Sequence, residues 1–442
     1  MTGSSITCYE FHKLVASVPD DHESENSESL KKINPNVFAW LERTARYHSD
    51  PGSPAWVRPS RQRGAAAVEL TSYVGVVRAP DGTQIEILPK IGRSSEDDVD
   101  KTRALLIDML RSLPGFKHIK TSDAALQVRK MRLLDVFICE FLRATQAIVK
   151  RGLRGGYSNR RDNLAALRGK LQISIHLRQN LVRRDRFYSE FDEFSTDRAE
   201  NRLLHTALRR SLSWASSTEI RHLARELCFV FSDVPESTVP SVDIQFVKLD
   251  RDMGYYAEAL AWAELILQGL SPLTGLGRNE APSLLFPMQD VFEAYVAKYL
   301  KNQLQSPFAL QKQSNKLSLV RHCDEKWFQL KPDLLVNDSA GKVRMILDTK
   351  WKLLDASKGN SRDKFGLSQA DFYQMYAYGQ TYLKGEGDMV LIYPKTREFD
   401  RALAVFEFPE SKKLRLWILP FCLERHHMML PKCGALDDKF NK

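Results

Sequence analysis

One stretch of the sequence, residues 330–352, constrains the fold more than any other. It reads LKPDLLVNDSAGKVRMILDTKWK, with an apolar run (LLV), a turn cluster of Asn, Asp, Ser and Gly, and a second apolar run (VRMIL). This pattern predicts a β-hairpin. Asp348 and Lys350 are separated by one residue, so on a strand their side chains leave the same face, and Asp333 precedes the first run. Three charged groups are therefore expected to converge where the two strands end.

Such a cluster suits the cleavage of a phosphodiester bond. Two carboxylates supply hard oxygen ligands for Mg²⁺, which binds proteins partly through its own waters and a substrate phosphate. The ion polarises the phosphate and lowers the pKa of an attacking water, and a lysine orients that water or meets developing negative charge. Asp333 and Asp348 are thus the predicted metal ligands. Lys350 is predicted to orient the attacking water or to meet the developing negative charge.

The same residues also fit an ordinary structural role. A DxK triplet occurs again at residues 324–326, but in a polar stretch with no apolar run leading into it, so we do not take it as a site. Asp348 instead closes the run MIL, and an acid buried at the end of an apolar strand is costly without a counter-charge or a metal. A strand-end ion pair between Asp348 and Lys350 is the alternative explanation.

Two predicted helices flank this hairpin. Upstream, LLFPMQDVFEAYVAKYL (residues 284–300) has apolar side chains at a helical period, with Glu293 beside that stripe and able to join the acids. Downstream, SQADFYQMYAYGQTYL (residues 368–383) carries Gln374 and Tyr378, four residues apart and so on one helix face. Taken singly, Glu293 also fits a solvated acid, and Gln374 and Tyr378 fit packing or rim positions.

Charge and cysteine content narrow the class of protein. Lys and Arg number 65 against 55 Asp and Glu, a net charge of +10, and a basic balance favours a polyanionic partner such as DNA. The six cysteines are scattered without CxxC spacing, which argues against a disulfide framework or a zinc site and indicates a cytoplasmic protein. No signal-peptide pattern and no run of about 18 apolar residues is present, so no membrane association is expected.

The first half of the chain is predicted to begin with β-structure and to continue as helices. NPNVFAWLERTARYH (residues 34–48) has a helical period, and VGVVR and TQIEILPK flank the turn APDG as a β-hairpin. MRLLDVFICEFLRATQAIVKRGL is the clearest amphipathic helix, and glycines end it. The segment at residues 157–194 is the most basic of the chain and has aromatic residues interleaved, which fits contacts with phosphates or bases or with an acidic protein. A solvated charged face is the alternative.

The predicted fold class is α/β, α+β overall, and the chain is predicted to form two domains. A Gly/Pro/Ser-rich link at residues 271–283 separates residues 1–270, with a β-rich start, a helical middle and the basic segment, from residues 280–442. DMVLIYPKT, LAVFEF and KLRLWILPF add three strands to the hairpin, which predicts a mixed central sheet flanked by helices. No GxxxxGK[ST] loop occurs, so the chain is not expected to hydrolyse a nucleotide by itself.

The order Glu, Pro-Asp, Asp-x-Lys, Gln-x-x-x-Tyr resembles the PD-(D/E)xK nuclease superfamily in its RecB-like form. Most of the chain also resembles the McrC family, the nuclease subunit of McrBC-type modification-dependent restriction systems. YVGVVRAPDGTQIEILPKIG is similar to that family's N-terminal hairpin, and LRGKLQISIHLRQN with FDEFSTDRAENRLLHTAL is similar to its middle signature. LFPMQDVFEAYV and PDLLV…ILDTKWK are similar to its nuclease core.

The resemblance implies a restriction-endonuclease-like domain at residues 280–442 and a partner-docking domain at residues 1–270. It also implies Mg²⁺-dependent cutting of modified double-stranded DNA, driven by a McrB-like AAA+ GTPase ring whose hydrolysis the chain stimulates. The catalytic residues that it implies, the first three as metal ligands, are Asp333, Asp348, Glu293, Lys350, Gln374 and Tyr378.

Two other functions fit the same sequence. One is an adaptor that activates an NTPase and keeps a nuclease-like fold without cutting, and the other is a free-standing PD-(D/E)xK nuclease. The intact set of Asp333, Asp348 and Lys350 argues against the adaptor, because a purely structural role does not require this combination. Cleavage without any GTPase would instead favour the free-standing nuclease.

Overall fold

The computed structural model describes residues 4–17, 29–47, 55–92, 99–113, 131–268, 283–312, 317–411, 413–434 and 436–440. Within these ranges the helices are α1 (Pro35–Tyr47), α2 (Val99–Leu110), α3 (Leu133–Arg151), α4 (Ile173–Asn180), α5 (Ala199–Trp214), α6 (Thr218–Val230), α7 (Pro240–Phe246), α8 (Ala257–Gln268), α9 (Met288–Gln303) and α10 (Gln369–Tyr382). Among these helices none is long and apolar enough to cross a membrane.

The strands within the same ranges are β1 (Ser5–Tyr9), β2 (Lys13–Ala16), β3 (Leu30–Ile33), β4 (Val57–Gln62), β5 (Ala65–Leu70), β6 (Tyr73–Arg78), β7 (Gln84–Leu88), β8 (Gly156–Leu164), β9 (Lys170–Leu171), β10 (Phe187–Ser195), β11 (Ser283–Pro287), β12 (Ala309–Lys312), β13 (Leu317–His322), β14 (Glu325–Leu330), β15 (Leu334–Asn337), β16 (Val343–Thr349), β17 (Glu386–Pro394), β18 (Phe406–Glu407), β19 (Lys413–Cys422) and β20 (His427–Met428). This mixture of helices and sheets confirms the predicted α/β, α+β class.

The chain divides into two compact units. One is Met131–Leu284, and the other combines Gly3–Lys130 with Leu285–Lys442. This division differs from the predicted one, because the β-rich start of the chain packs with the C-terminal part. Strand β11, which leads into the C-terminal part, hydrogen-bonds to β6 and extends the sheet β1-β7-β6. The predicted link at 271–283 falls, except for its last residue, outside the described residues.

The N-terminal part of the second unit contains two four-stranded sheets, β1-β7-β6-β11 and β3-β2-β5-β4. Helix α1 packs on β4 and β5, and the predicted helix and hairpin are both confirmed. The helix is capped by Asn34, whose Oδ1 accepts the backbone N–H of Asn36 at 2.9 Å. The hairpin turn is closed by Asp81, whose carboxylate accepts the N–H of Thr83 at 2.8 Å, next to Gly82 with a φ of 90°.

The unit Met131–Leu284 is mostly helical, as predicted. Helix α3 buries the predicted apolar side and ends at Gly152, whose φ of 89° favours glycine. The basic segment forms the three-stranded sheet β8-β10-β9 together with α4. Two of its arginines, Arg160 and Arg161, pair across the strands with Glu193 and Glu190 at 3.0 and 3.2 Å, so part of its positive charge is balanced locally.

The C-terminal part is built on a seven-stranded sheet in the order β12-β15-β16-β17-β19-β18, with β20 also paired to β19. Strands β16, β17 and β19 are parallel, and the other pairings are antiparallel. This confirms the predicted mixed sheet, and the three strands predicted after the second helix are β17, β18 and β19. Helices α9 and α10 both pack against β16, so the carboxyl end of that strand lies beside both helices.

Candidate active site

The predicted hairpin is present, and its register brings the two aspartates together. Strands β15 and β16 pair antiparallel with Leu334 opposite Leu347, so Asp333 and Asp348 stand at the next position along the ladder. The leucines on both strands are fully buried, and Asp348 is only 1% exposed. The sequence therefore places one carboxyl group inside the end of an apolar strand and a second beside it.

The carboxylate of Asp333 is fixed by the residue that follows Asp348. The backbone N–H and the Oγ1 hydroxyl of Thr349 each donate a hydrogen bond of 2.7 Å to Oδ2 of Asp333. Among the described residues nothing donates a hydrogen bond to the other oxygen, Oδ1. The two hydrogen bonds thus orient Asp333 and leave one oxygen available as a ligand.

Lys350 reaches the same point from beyond the end of β16. Its Nζ lies 2.6 Å from Oδ2 of Asp348 and donates a hydrogen bond of 3.0 Å to Oε1 of Gln374. A second carboxylate, that of Asp371, lies 3.9 Å from Nζ. The predicted convergence of two acids and an amine is therefore what the structure shows.

Gln374 and Tyr378 form a relay on α10 that fixes the lysine. Nε2 of Gln374 donates to the hydroxyl of Tyr378 at 2.8 Å, and that hydroxyl donates to the backbone oxygen of Lys331 at 3.0 Å. Since Lys331 lies two residues before Asp333, the relay connects the helix to both strands of the hairpin. The two helix residues thus contact Lys350 and the backbone, and they position the amine.

Burial and mutual repulsion change the titration of the three groups. Burial, assisted by the charge of Asp333, raises the pKa of Asp348 to about 7. Burial also raises the pKa of Asp333, against the hydrogen bonds from Thr349 and the charge of Lys350. For Lys350 burial works to lower the pKa, but the Asp348 carboxylate outweighs it and the pKa lies above its ordinary value. Two acids held this close repel each other when both are ionised. A divalent cation bound between them would relieve that repulsion.

The helix acid that the structure couples to this pair is Asp290. It lies in the first turn of α9, and burial together with the charge of Asp333 raises its pKa. Glu293, the helix acid predicted from the sequence, is half-buried one turn later. The signal that would have found Asp290 is position: the first turn of a helix that follows a strand lies close to the ends of the sheet.

Two further residues hold the end of β16 and were also missed. Gln289 of α9 accepts the backbone N–H of Trp351 at 2.9 Å and donates to the backbone oxygen of Thr349. Glu10, which is fully buried, accepts the indole N–H of Trp351 at 2.9 Å and the backbone N–H of Lys90 at 2.9 Å. The N-terminal part of the chain thus supports the residue directly after Lys350.

The donor set fits Mg²⁺ held by two carboxylates. Oδ2 of Asp348 is buried and, apart from the Lys350 ammonium, has no polar partner among the described residues. In those residues no group of three or more His, Cys, Asp or Glu side chains is placed to hold a metal ion. The predicted set of three ligands is therefore not assembled: Asp333 and Asp348 are together, and Glu293 does not complete a triad. Magnesium commonly uses one or two carboxylates and fills its other positions with water and phosphate.

The fold and the site define a class of protein: an α/β chain whose mixed sheet presents two carboxylates and a lysine at the end of a hairpin, as in the PD-(D/E)xK pattern. A sequence model of the family described as "McrBC 5-methylcytosine restriction system component" matches residues 68–394. The chain belongs to this family, which confirms the resemblance drawn from its motifs.

A solved structure with 19% sequence identity shows the same fold. A chain in the refined half-complex from the tetradecameric assembly of Thermococcus gammatolerans McrB AAA+ hexamers with bound McrC has a TM-score of 0.65 and 19% identity, over 97% of both chains. A chain in the cryo-EM structure of the Thermococcus gammatolerans McrBC complex has a TM-score of 0.48 and 20% identity, over 67% of this chain and 87% of that chain. No curated protein matches the sequence.

Proposed function

We propose that this chain is the DNA-cutting subunit of a McrBC-type modification-dependent restriction system. It hydrolyses phosphodiester bonds of methylated double-stranded DNA with Mg²⁺, driven by an AAA+ GTPase of the McrB type whose hydrolysis it stimulates. The observation that carries this proposal is the convergence of Asp333, Asp348 and Lys350 at a buried strand end. The partner is supported by membership of the family and by the likeness in fold to a chain from an assembly of McrB hexamers with bound McrC.

Asp333 and Asp348 are the residues that hold Mg²⁺ in this proposal. When bound, the ion supplies the positive charge that polarises a phosphate and lowers the pKa of water. The hydrogen bonds from Thr349 orient the carboxylate of Asp333 through groups of the chain itself. A carboxylate that is already oriented reduces the reorganisation needed for the reaction.

Lys350 acts in this mechanism as a charged hydrogen-bond donor. The Asp348 carboxylate raises its pKa, which favours the protonated amine and therefore the role of donor over that of base. Gln374, itself held by Tyr378, accepts one of its three N–H groups. The remaining N–H groups are available to orient the attacking water or to stabilise the negative charge that develops on the phosphate.

The decisive experiment compares Asp348→Asn with the wild-type chain on DNA that carries 5-methylcytosine, with Mg²⁺, GTP and the cognate AAA+ GTPase. We expect cleavage to disappear while binding to the GTPase and stimulation of GTP hydrolysis persist. Asp388→Asn is the matched control, because Asp388 is a buried acid of the same sheet that pairs with Arg415 at 2.9 Å. Melting temperatures of both variants establish that they are folded.

Each alternative function has its own outcome in this experiment. Cleavage retained by Asp348→Asn would overturn the catalytic role of the aspartate. A wild-type chain that stimulates GTP hydrolysis and never cuts would be an adaptor. A wild-type chain that cuts equally well without the GTPase would be a free-standing nuclease.

A further inference from the structure

A second hairpin, formed by β13 and β14, precedes the active-site hairpin and is not part of the seven-stranded sheet. It forms a two-stranded sheet of its own, and almost every residue in it is exposed. The large apolar side chains on it, from 38% to 69% exposed, are Leu317, Leu319, Val320, Trp327 and Phe328. An isolated two-stranded ribbon is marginally stable in water, so this one is expected to gain stability on a partner.

The hairpin carries two basic and two acidic side chains, and Arg321 is the basic one that is exposed without an ion pair in the described residues. Arg321 stands directly opposite Lys326 in the ladder, and like charges at opposite positions repel each other. The acids nearby lie at the turn, where Glu325 accepts the indole N–H of Trp327 at 3.4 Å. Arg321 is therefore exposed and available to a phosphate.

The base of the hairpin is fixed beside the active site. Leu330, the last residue of β14, is buried in the core of the nuclease part, and its backbone oxygen accepts the hydroxyl of Tyr382 at 3.1 Å. The next residue, Lys331, accepts the hydroxyl of Tyr378, and Asp333 follows two positions later. The exposed ribbon therefore extends from the same helix and strand that position Lys350 and Asp333.

We propose that the β13–β14 hairpin binds the DNA duplex next to the phosphate that is cut. Arg321 and Lys326 contact backbone phosphates, and Trp327 and Phe328 contact sugars and bases in a groove. A two-stranded ribbon is narrow enough to enter the major groove, and exposed apolar side chains are used by other proteins to contact or part base steps. This inference rests on the proposed function, because it takes DNA as the substrate.

DNA affinity and its dependence on salt test the proposal. Measurements use the full chain carrying Asp348→Asn, so that the DNA is bound and not cut, and a fluorescent methylated duplex. Phe328→Ala is expected to raise Kd about tenfold, as for the loss of one aromatic contact with a base. Arg321→Gln with Lys326→Gln is expected to reduce the slope of log Kd against log salt by about two, one for each lost phosphate contact.

Phe229→Ala is the matched control, since Phe229 is 80% exposed in the other unit of the chain, against 69% for Phe328. Its Kd should equal that of the Asp348→Asn chain. In the cutting-competent chain, Phe328→Ala should raise KM for DNA, and cleavage should recover at saturating DNA.

A proximity measurement tests the placement independently of stability. Cys323 lies at the hairpin turn and is exposed, and Cys433 is exposed elsewhere in the same unit. A photo-crosslinker on Cys323, in a Cys433→Ser chain, should react with DNA close to the cut. The same reagent on Cys433, in a Cys323→Ser chain, should not.

The outcomes separate this inference from the proposed function. Hairpin variants with unchanged Kd and salt slope, in a chain whose wild type still cuts, would overturn the hairpin's role and leave the nuclease intact. Hairpin variants that no longer bind the GTPase but bind DNA with unchanged affinity would show that the hairpin binds protein. That result would also overturn the proposal. A wild-type chain that neither binds nor cuts DNA in the presence of its GTPase would remove both conclusions together.

Discussion

Two neighbouring hairpins carry the same triplet, Asp-x-Lys, and place it in opposite environments. In β13–β14 the triplet Asp324-Glu325-Lys326 lies at an exposed turn, and in β15–β16 the triplet Asp348-Thr349-Lys350 lies at a buried strand end. Burial raises the pKa of Asp348 to about 7 and makes its carboxylate depend on Lys350. The residue spacing is identical, so the difference in chemistry comes from the packing around it.

This contrast separates two kinds of contribution to one reaction. Groups desolvated in the buried hairpin interact strongly with charge that develops in the transition state. If the exposed hairpin binds DNA as we propose, its groups interact with that ligand in the ground state, and salt weakens those contacts. Variants of the buried hairpin should therefore change kcat, and variants of the exposed hairpin should change KM.

After the loss of cleavage in Asp348→Asn, the largest expected effect is that of Lys350→Met. It removes the ammonium that we assign to the water or the phosphate, and the loss of one preorganised donor typically costs about 10²- to 10³-fold in kcat. Lys342→Met, at the exposed opposite end of the same hairpin, is the control and should leave kcat unchanged. Single-turnover cleavage at saturating DNA measures both. An effect of Lys350→Met confined to KM would break the comparison, because the buried lysine would then act in binding.

The next largest effect is the pH dependence of Mg²⁺ binding. A metal binds the ionised carboxylate, so with the pKa of Asp348 raised to about 7 a proton must leave on binding below that pH. We expect Mg²⁺ affinity to fall about tenfold for each pH unit between pH 7 and pH 5 and to level off above pH 7. Calorimetric titration without DNA measures it, and Asp348→Asn should bind weakly with no such slope.

The raised pKa also predicts how stability responds to pH. The folded chain holds a proton on Asp348 more tightly than the unfolded chain does, so its contribution to the free energy of unfolding is largest below about pH 4. That contribution should decrease as the pH rises towards 7, and Mg²⁺ should restore it. Wild-type stability that rises over this range relative to Asp348→Asn would contradict the raised pKa.

Local patterns made the active-site hairpin predictable. Apolar runs, a turn cluster and the spacing of Asp348 and Lys350 are all encoded within one short stretch, and Gln374 and Tyr378 share a helix face because they are four residues apart. The register that brings Asp333 to Thr349 also depends on a shift between Val336 and Asn337, which the sequence did not indicate. Side-chain contacts within such a stretch depend little on the rest of the fold, so the sequence specifies them.

Contacts between distant segments were not predictable in this way. Glu10 lies 341 residues from Trp351, and nothing in its surroundings marks it as buried. The sequence separates residues 1–270 from 280–442 by composition, but pairing of β11 with β6 joins the β-rich start to the C-terminal part. The sequence did not indicate Asp290 for a related reason, since the position of the helix start relative to the sheet decides which acid approaches Asp333.

The smallest of these effects concerns Glu10, which supports the end of β16 through Trp351. Glu10→Ala leaves the buried indole N–H of Trp351 and the N–H of Lys90 without this acceptor, and an unpaired buried donor costs about 1–3 kcal/mol. We expect a lower melting temperature and, because Trp351 follows Lys350, a smaller reduction of kcat than that of Lys350→Met, with KM unchanged.

Two further variants determine whether Glu10 acts by position. Glu10→Gln keeps an oxygen that accepts the indole N–H, so it should recover most of the kcat. Glu42→Ala removes an acid of α1 that forms a surface pair with Arg46, and such pairs contribute little, so it should change neither kcat nor melting temperature. If Glu10→Ala lowers the melting temperature and leaves kcat intact at a temperature where the chain is folded, the strand end is positioned without help from Glu10. The N-terminal part would then stabilise the nuclease without shaping its site.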